Sequence, residues 1–137
     1  MTRLSRIFEV LAGLFSRRKL PQSALVGRSG EDAAARFLKK SGYKILARNF
    51  RSGRNEIDIV CSKDGVLVFA EVKTRSVSAR VGGYFAGVQR GKKARVRACA
   101  AAYMRRFGRP KTWRFDVVEV AHTGGGDFEP RHYQNVY

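Results

Sequence analysis

The chain has 137 residues, the length of a single domain. Its 28 lysines and arginines outnumber its 11 aspartates and glutamates, which gives a formal net charge of +17, and 44% of the residues are hydrophobic. This apolar content excludes wholesale disorder, and the lack of any apolar run near roughly 20 residues excludes an integral membrane protein. A small folded protein of such charge most often binds a polyanion: DNA, RNA or an anionic membrane surface.

The distribution of charge and the cysteines indicate where the positive surface lies and in which compartment the protein is found. Residues 76–114 carry eleven of the basic side chains and no acidic one, so most of the excess lies in one block. Cys61 and Cys99 do not form a metal-ligand pattern, and no secretory signal precedes them. We therefore expect a cytoplasmic protein whose two cysteines are small, buried, reduced side chains.

Residues 1–22 read as a separate basic amphipathic extension. Apolar side chains follow helical spacing from Leu4 to Phe15, basic residues flank them, and Pro21 ends the pattern. Such a helix can lie on an anionic membrane surface or dock on a partner protein. Packing against its own domain, or a frayed end, is the other interpretation that the pattern leaves open.

The remaining pattern, in chain order, predicts one α/β domain over residues 23–122 and a tail over residues 123–137. Ser29 is the expected N-cap of a first helix, which Gly42 ends. Two strands follow over residues 43–50 and 56–61, then an Asp64-Gly65 turn and an apolar third strand over residues 66–72. A long helix over residues 89–107 is expected to bury Val96, Cys99, Ala100, Tyr103 and Phe107. A strand over residues 113–120 and an edge strand near Tyr133 complete an α-β-β-β-α-β core, a mixed sheet flanked by helices.

The acidic residues of the second and third strands form the most informative cluster. If Asp64 and Gly65 are the two turn residues, counting outward places Asp58 opposite Glu71 and Glu56 opposite Lys73. Like charges side by side destabilise a sheet unless a proton, a basic group or a cation intervenes. Mg²⁺ prefers such oxygen ligands and activates phosphodiesters for hydrolysis, and a nearby lysine can stabilise charge or orient the attacking water. A solvated hairpin face is the competing interpretation.

Several motifs recur in order over residues 27–120 and resemble the YraN-like family of uncharacterised bacterial proteins. They are Gly30-Glu31-Asp32-Ala33-Ala34, Gly42-Tyr43-Lys44-Ile45-Leu46, Asn49-Phe50-Arg51, Glu56-Ile57-Asp58-Ile59-Val60, Val68-Phe69-Ala70-Glu71-Val72-Lys73-Thr74-Arg75, Lys92-Lys93 and Arg114-Phe115-Asp116-Val117-Val118. That family is similar to the restriction-endonuclease-like PD-(D/E)xK superfamily, and functionally to Holliday-junction resolvases.

The resemblance implies a role for each acidic residue. Asp58 matches the motif aspartate, and Glu71-Val72-Lys73 matches the E-x-K element. Asp58, Glu71 and Lys73 are thereby implied to be catalytic, and Glu31, Asp58 and Glu71 to hold Mg²⁺ or Mn²⁺. Asn55 departs from the glycine that relatives usually carry before Glu-Ile-Asp.

Basic residues around this cluster are candidates for contacts with nucleic-acid phosphates. They are Arg51, Arg54, Arg75, Arg80, Gln89, Arg90, Lys92, Lys93 and Arg95, of which Gln89 is the uncharged member. The favoured function is a Mg²⁺-dependent endonuclease for structured or branched DNA, with a homodimer as a further expectation. The alternative is a non-catalytic nucleic-acid-binding module on the same fold, and either is compatible with a membrane or protein contact through residues 1–22.

Overall fold

A computed structural model describes residues 22–76, 91–122 and 126–137 of the chain. The predicted N-terminal extension lies almost wholly outside these residues, and so do Arg80, Gln89 and Arg90. No helix in the described ranges is long and apolar enough to cross a membrane.

The described residues form a five-stranded mixed sheet flanked by helices, as the sequence predicts. The elements are α1 (Gln22–Lys40), β1 (Lys44–Ser52), β2 (Asn55–Lys63), β3 (Val66–Ser76), α2 (Lys92–Phe107), β4 (Thr112–His122) and β5 (Phe128–Tyr133). Strands β1, β2 and β3 are antiparallel neighbours, β3 and β4 run parallel, and β5 pairs antiparallel with β4 at the far edge. A parallel pair needs a long crossover, and α2 lies within it.

The two helices cover opposite faces of the sheet and create two cores. The core under α1 contains Leu38, Ile59 and Val118, and the core under α2 contains Val60, Phe69 and Tyr103. Both faces of the central strands are thus buried. The expected burial of both cysteines is confirmed, because Cys61 lies in the first core and Cys99 in the second.

The predicted start of the first helix is wrong, whereas its predicted end is confirmed. The helix begins at Gln22 and continues through Ser29, so Ser29 is not its N-cap. At its end Gly42 adopts φ +91°, and the amide of Tyr43 donates to the carbonyl of Leu38 at 3.0 Å. This left-handed cap turns the chain sharply into β1.

Helix α2 buries the middle of its predicted stripe, whereas Val96 at the start is only partly buried and the last residue is exposed. Cys99, Ala100 and Tyr103 are buried, but Phe107 is 58% exposed. The ring of Phe107 still packs edge-on against Phe50 and at 4.7 Å from Tyr103, centroid to centroid. Its exposure follows from its position at the end of the helix, where the chain turns away at Gly108.

Strand β2 loses its regular pairing at Asp58. The ladder with β3 runs from Lys63–Val66 to Ile59–Ala70, which confirms the predicted turn and the register of these pairs. It stops there, so the predicted Asp58–Glu71 and Glu56–Lys73 pairs are not part of the ladder. On the other side the pairs pass from Arg48–Ile59 to Phe50–Ile57, and the unpaired Asn49 adopts φ +53°. The strict alternation predicted for β2 therefore fails, because Ile57 packs in the core under α2 and Ile59 in the core under α1.

Candidate functional site

A pocket of about 60 Å³ opens where β2 separates from β3, beneath the first turn of α2. It brings together two predicted catalytic residues, Asp58 and Glu71, with Lys92 and Glu56. The lining is completed by Ile57, Phe69, Ala70, Val96, Phe115, Asp116 and Tyr137. The lining therefore combines apolar side chains with polar groups that are mostly charged.

Asp58 occupies the point at which the strands part. Its Oδ2 accepts a hydrogen bond from the backbone amide of Val72 at 2.8 Å, which replaces a ladder bond with a side-chain contact. The pKa of Asp58 rises from 3.8 to about 6, chiefly because the carboxyl is buried, although the Val72 amide opposes the rise. Repulsion from Glu31, Glu71 and Glu56 contributes the rest of this rise. The negative charge at Asp58 is thus incompletely offset by the protein.

Glu71 has the opposite electrostatic environment. Its Oε1 accepts hydrogen bonds from Lys92 Nζ and lies 3.1 Å from Lys73 Nζ. Burial alone would raise the pKa of Glu71, but the two lysines lower it below its usual value. The carboxylates of Asp58 and Glu71 therefore differ sharply in how well they hold a proton.

The two lysines at Glu71 are also distinct from each other. Burial lowers the pKa of Lys73, but contact with Lys92 and attraction to Glu71 raise it above its usual value. Burial and the neighbouring Lys73 hold the pKa of Lys92 below its usual value, although Glu71 counteracts them. Lys73 is consequently a firmly charged ammonium beside the carboxylates.

Glu31 lies in a neighbouring, wider depression of about 830 Å³ between α1 and β1. Burial raises the pKa of Glu31, and Arg48 partly counteracts this. Glu56 lines both this depression and the smaller pocket, so it marks the border between them. Helix α1 approaches β3 at Gly30, where a Cβ atom would lie 2.1 Å from Thr74 Oγ1.

The donor set suits a divalent cation only in part. Among the described residues, no three histidine, cysteine or acidic side chains converge closely enough to hold an ion. The predicted three-ligand set of Glu31, Asp58 and Glu71 is therefore not assembled. Two carboxylates, however, are what Mg²⁺ commonly takes from a protein, with water and phosphate oxygens completing its shell. Asp58 and Glu71 fit that role, and the poorly offset charge of Asp58 favours a cation.

The predicted nucleic-acid contacts fall into two groups. Arg51 bonds to Glu56 at 3.1 Å, Arg75 bonds to the buried Glu119 at 2.8 Å, and Lys92 contacts Glu71, so each is engaged within the protein. The remaining described candidates are exposed on the surface; they are Arg54, Lys93 and Arg95.

Two features of the pocket were missed from the sequence. Glu56 was expected to face Lys73, but the β2–β3 ladder ends before that pair and Glu56 bonds to Arg51 instead. The sequence signal for Glu56 as a pocket residue was its position two residues before Asp58 on the same strand. The contact of Lys92 with Glu71 depends on how α2 returns to the sheet, which no local pattern reveals.

Comparison with known proteins places most of the chain in one family. The family model described as "Uncharacterised protein family UPF0102" matches residues 30–120, a range that contains every acidic residue of the two pockets. A UPF0102 protein of Symbiobacterium thermophilum is 45% identical over 116 residues, which cover 84% of this chain and 98% of the relative. A UPF0102 protein of Chlorobium phaeobacteroides is 41% identical over 118 residues, which cover 82% of this chain and 93% of the relative. A UPF0102 protein of Herminiimonas arsenicoxydans is 37% identical over 109 residues, which cover 80% of this chain and 87% of the relative.

Proposed function

Since this chain belongs to the uncharacterised protein family UPF0102, as its resemblance to the YraN-like family predicted, we propose a function from its site. The proposed activity is Mg²⁺- or Mn²⁺-dependent hydrolysis of phosphodiesters in structured or branched DNA. One observation carries it. Asp58 and Glu71 line the same pocket, at the point where β2 leaves β3, with the Lys73 ammonium 3.1 Å from Glu71.

The proposed roles follow from the charges of these side chains. Asp58 and Glu71 would hold the ion, and when bound it would polarise the phosphodiester and lower the pKa of an attacking water. Lys73, which keeps its proton, is suited to stabilise the negative charge that develops on the phosphate. Glu31 and Glu56 do not complete a ready-made three-ligand site with them among the described residues and are proposed as outer carboxylates that orient water.

The charge of the whole chain supports a nucleic-acid substrate. A net charge of +17 attracts polyanions, and residues 76–114 hold eleven basic groups without an acidic one. Lys93 and Arg95 are exposed one turn or less from Lys92, which lies in the pocket. A DNA strand held by these groups would bring a phosphate to the carboxylates.

Cleavage of linear, flapped and four-way DNA in the presence of Mg²⁺ or Mn²⁺ tests the proposal. We expect nicking of one or more branched substrates, and a loss of about 100-fold or more in Asp58→Asn and Glu71→Gln, as is usual when electrostatic stabilisation is removed. The exposed Asp127→Asn serves as the matched control and retains full activity. Cleavage that survives in both site variants, or no cleavage of any substrate, overturns the proposal.

A non-catalytic nucleic-acid-binding module is the second candidate. It is favoured by the two lysines that already neutralise Glu71, because they stand where a cation would compete. Calorimetric titration of Mn²⁺ into the protein with bound, non-cleavable DNA separates the candidates. Binding that disappears in Asp58→Asn supports the nuclease, whereas its absence in the wild type together with salt-sensitive DNA binding supports the module.

A further inference from the structure

A groove on the outer side of α2 stands apart from the carboxylate pocket. It has a volume of about 330 Å³ and lies between the second half of α2 and the start of β4. Its rim carries Arg97, Arg105 and Arg109, and its floor is formed by Ala101, Met104 and Trp113. We call this surface the arginine groove.

The three arginines of the groove are exposed. In the part of the chain that the structure describes, none of them forms a salt bridge with a carboxylate. Arg109 instead lies over the ring of Trp113, 5.9 Å from its centroid. Among the residues that the structure describes, no acidic one lines the groove. Three guanidinium groups around one depression are suited to bind an anion with several charges.

The arrangement along α2 matches an extended ligand. Arg97, Ala101 and Arg105 follow one another at four-residue intervals, so they lie on neighbouring turns. The small side chain of Ala101 leaves the space between the two arginines open. At 1.5 Å per residue, Arg97 and Arg105 are about 12 Å apart along the helix. A polymer of phosphates matches this spacing along the helix better than one small anion does.

The groove continues the surface that begins at the carboxylate pocket. Lys92 lies in that pocket, and Lys93, one turn before Arg97, is exposed. From Lys92 to Arg105 the helix rises about 20 Å. A strand of duplex DNA advances about 3.4 Å per nucleotide, so this distance corresponds to about six base pairs. Guanidinium groups also match phosphate geometry, because they donate two parallel hydrogen bonds.

We propose that the arginine groove is a second nucleic-acid contact, which holds phosphates of a duplex arm about six base pairs from the carboxylate pocket. The proposal deepens the proposed function and rests on it for the nature of the polymer. The groove increases the affinity for DNA and makes it depend on the length of the duplex arm. Asp58 and Glu71 are not required for binding at this surface.

Fluorescence anisotropy in the presence of EDTA tests this surface without cleavage. The triple variant Arg97→Gln/Arg105→Gln/Arg109→Gln is compared with Arg36→Gln/Lys39→Gln/Lys40→Gln. The control removes the same charge from exposed residues of α1, on the opposite face of the sheet. We expect the groove variant to bind DNA about ten- to hundredfold more weakly and the control to change less than threefold. The slope of log K against log salt should fall by about 0.9 for each phosphate that the variant no longer neutralises.

Duplex arms of four, six, eight and ten base pairs give the second readout. Wild-type affinity should rise between four and eight base pairs, and this rise should be absent in the groove variant. Equal weakening by the control set, or unchanged binding by the groove variant, overturns the proposal.

Failure of this inference is distinguishable from failure of the proposed function. If the wild type binds through the groove but never cleaves, the groove proposal stands and the nuclease proposal fails. If cleavage requires Asp58 and Glu71 while the groove variant binds and cleaves like the control, only the groove proposal fails. Absence of any DNA binding by the wild type overturns both.

Discussion

At the scale of single residues, the site contains a carboxylate whose charged form the fold destabilises. Asp58 is not paired in the ladder with β1 or in the ladder with β3, and its Oδ2 accepts a hydrogen bond from the backbone amide of Val72. Burial and nearby carboxylates then raise its pKa from 3.8 to about 6. Such a buried and poorly compensated charge lowers the stability of the folded protein, which is typical of side chains kept for function rather than stability.

Replacement of Asp58 by asparagine should stabilise the metal-free protein at high pH. The folded state binds the Asp58 proton more tightly than the unfolded chain, so its contribution to stability is greatest below pH 3.8 and is lost as the pH rises through 6. With a discount for partial solvation, Asp58→Asn should raise the free energy of unfolding by about 1–2 kcal/mol at pH 8. Urea unfolding in EDTA at pH 8 and pH 5 measures this.

The gain from Asp58→Asn should shrink at pH 5, because the wild-type carboxyl is then largely protonated in the folded state. The exposed Asp127→Asn is the control and should change stability by less than about 0.5 kcal/mol at both pH values. A loss of stability in Asp58→Asn at pH 8 would show that the hydrogen bond to Val72, rather than the buried charge, dominates at this position.

At the scale of secondary-structure elements, α1 is placed by close contact with β3. Gly30 lies so near Thr74 that a Cβ atom would be 2.1 Å from the threonine Oγ1. Gly27, one turn earlier in the same helix, has no atom within 4 Å of such a position. The two glycines therefore have different physical reasons to be present, although each costs helix stability in the same way.

The substitutions Gly30→Ala and Gly27→Ala should have opposite effects. Gly30→Ala forces α1 away from β3 and should destabilise the protein by about 1–3 kcal/mol. Gly27→Ala meets no obstacle and should stabilise it by about 0.5–1 kcal/mol through better helix propensity. Chemical denaturation of both variants measures the difference. The double variant Gly30→Ala/Thr74→Ala should recover part of the loss of stability. If the two single variants behave alike, close contact between Gly30 and Thr74 does not determine the position of α1.

Sequence reasoning succeeded where local chemistry determines the structure. The Asp64-Gly65 turn adopts positive φ at both residues, and it fixes the β2–β3 register as predicted. The start of α1 was missed because Ser29 resembles an N-cap, whereas the helix already begins at Gln22. The interruption at Asp58 was missed for a related reason. It requires Asn49 in the neighbouring strand to adopt φ +53°, a conformation uncommon outside glycine.

The site shows the same limit at longer range. The approach of Asp58 and Glu71 followed from counting residues outward from a hairpin, since both lie on consecutive strands. The contact between Lys92 and Glu71 joins segments 21 residues apart through a crossover, so periodicity cannot reveal it. Family resemblance identified the acidic residues, but it could not indicate that Glu31 and Glu71 lie in adjoining depressions.

At the scale of the whole molecule, one buried carboxylate joins three distant parts of the chain. Asp116 is 1% exposed and accepts hydrogen bonds from Arg114 Nε at 3.0 Å and from the Asn135 amide at 3.0 Å. His132 Nε2 lies 2.7 Å from the other oxygen, and Arg114 also donates to Tyr43 Oη at 2.8 Å. The network therefore ties β5 and the C-terminal residues to β4 and to the start of β1.

This network predicts a large loss of stability in Asp116→Asn. Burial would raise the pKa of Asp116, but His132, Arg114 and the Asn135 amide lower it below its usual value. The ionised Asp116 therefore stabilises the folded protein above about pH 4, and this stabilisation is lost as the pH falls through the lower pKa that Asp116 has in the folded state. Asp116→Asn leaves Arg114 without its charged partner, and unfolding should become easier by about 3 kcal/mol at pH 7. Urea unfolding at pH 7 and pH 3 measures this.

Amide hydrogen exchange separates a local effect of Asp116→Asn from a global one. The amide of Val136 donates to the carbonyl of Phe115 at 2.9 Å, so its protection reports the attachment of the C-terminal residues. We expect that protection to fall by more than the global loss of stability explains, because the carboxylate holds Asn135 directly. The exposed Glu129→Gln, on β5 itself, should leave both readouts unchanged. Unaltered protection of Val136 in Asp116→Asn would mean that packing of the terminal residues, rather than the carboxylate, closes the sheet.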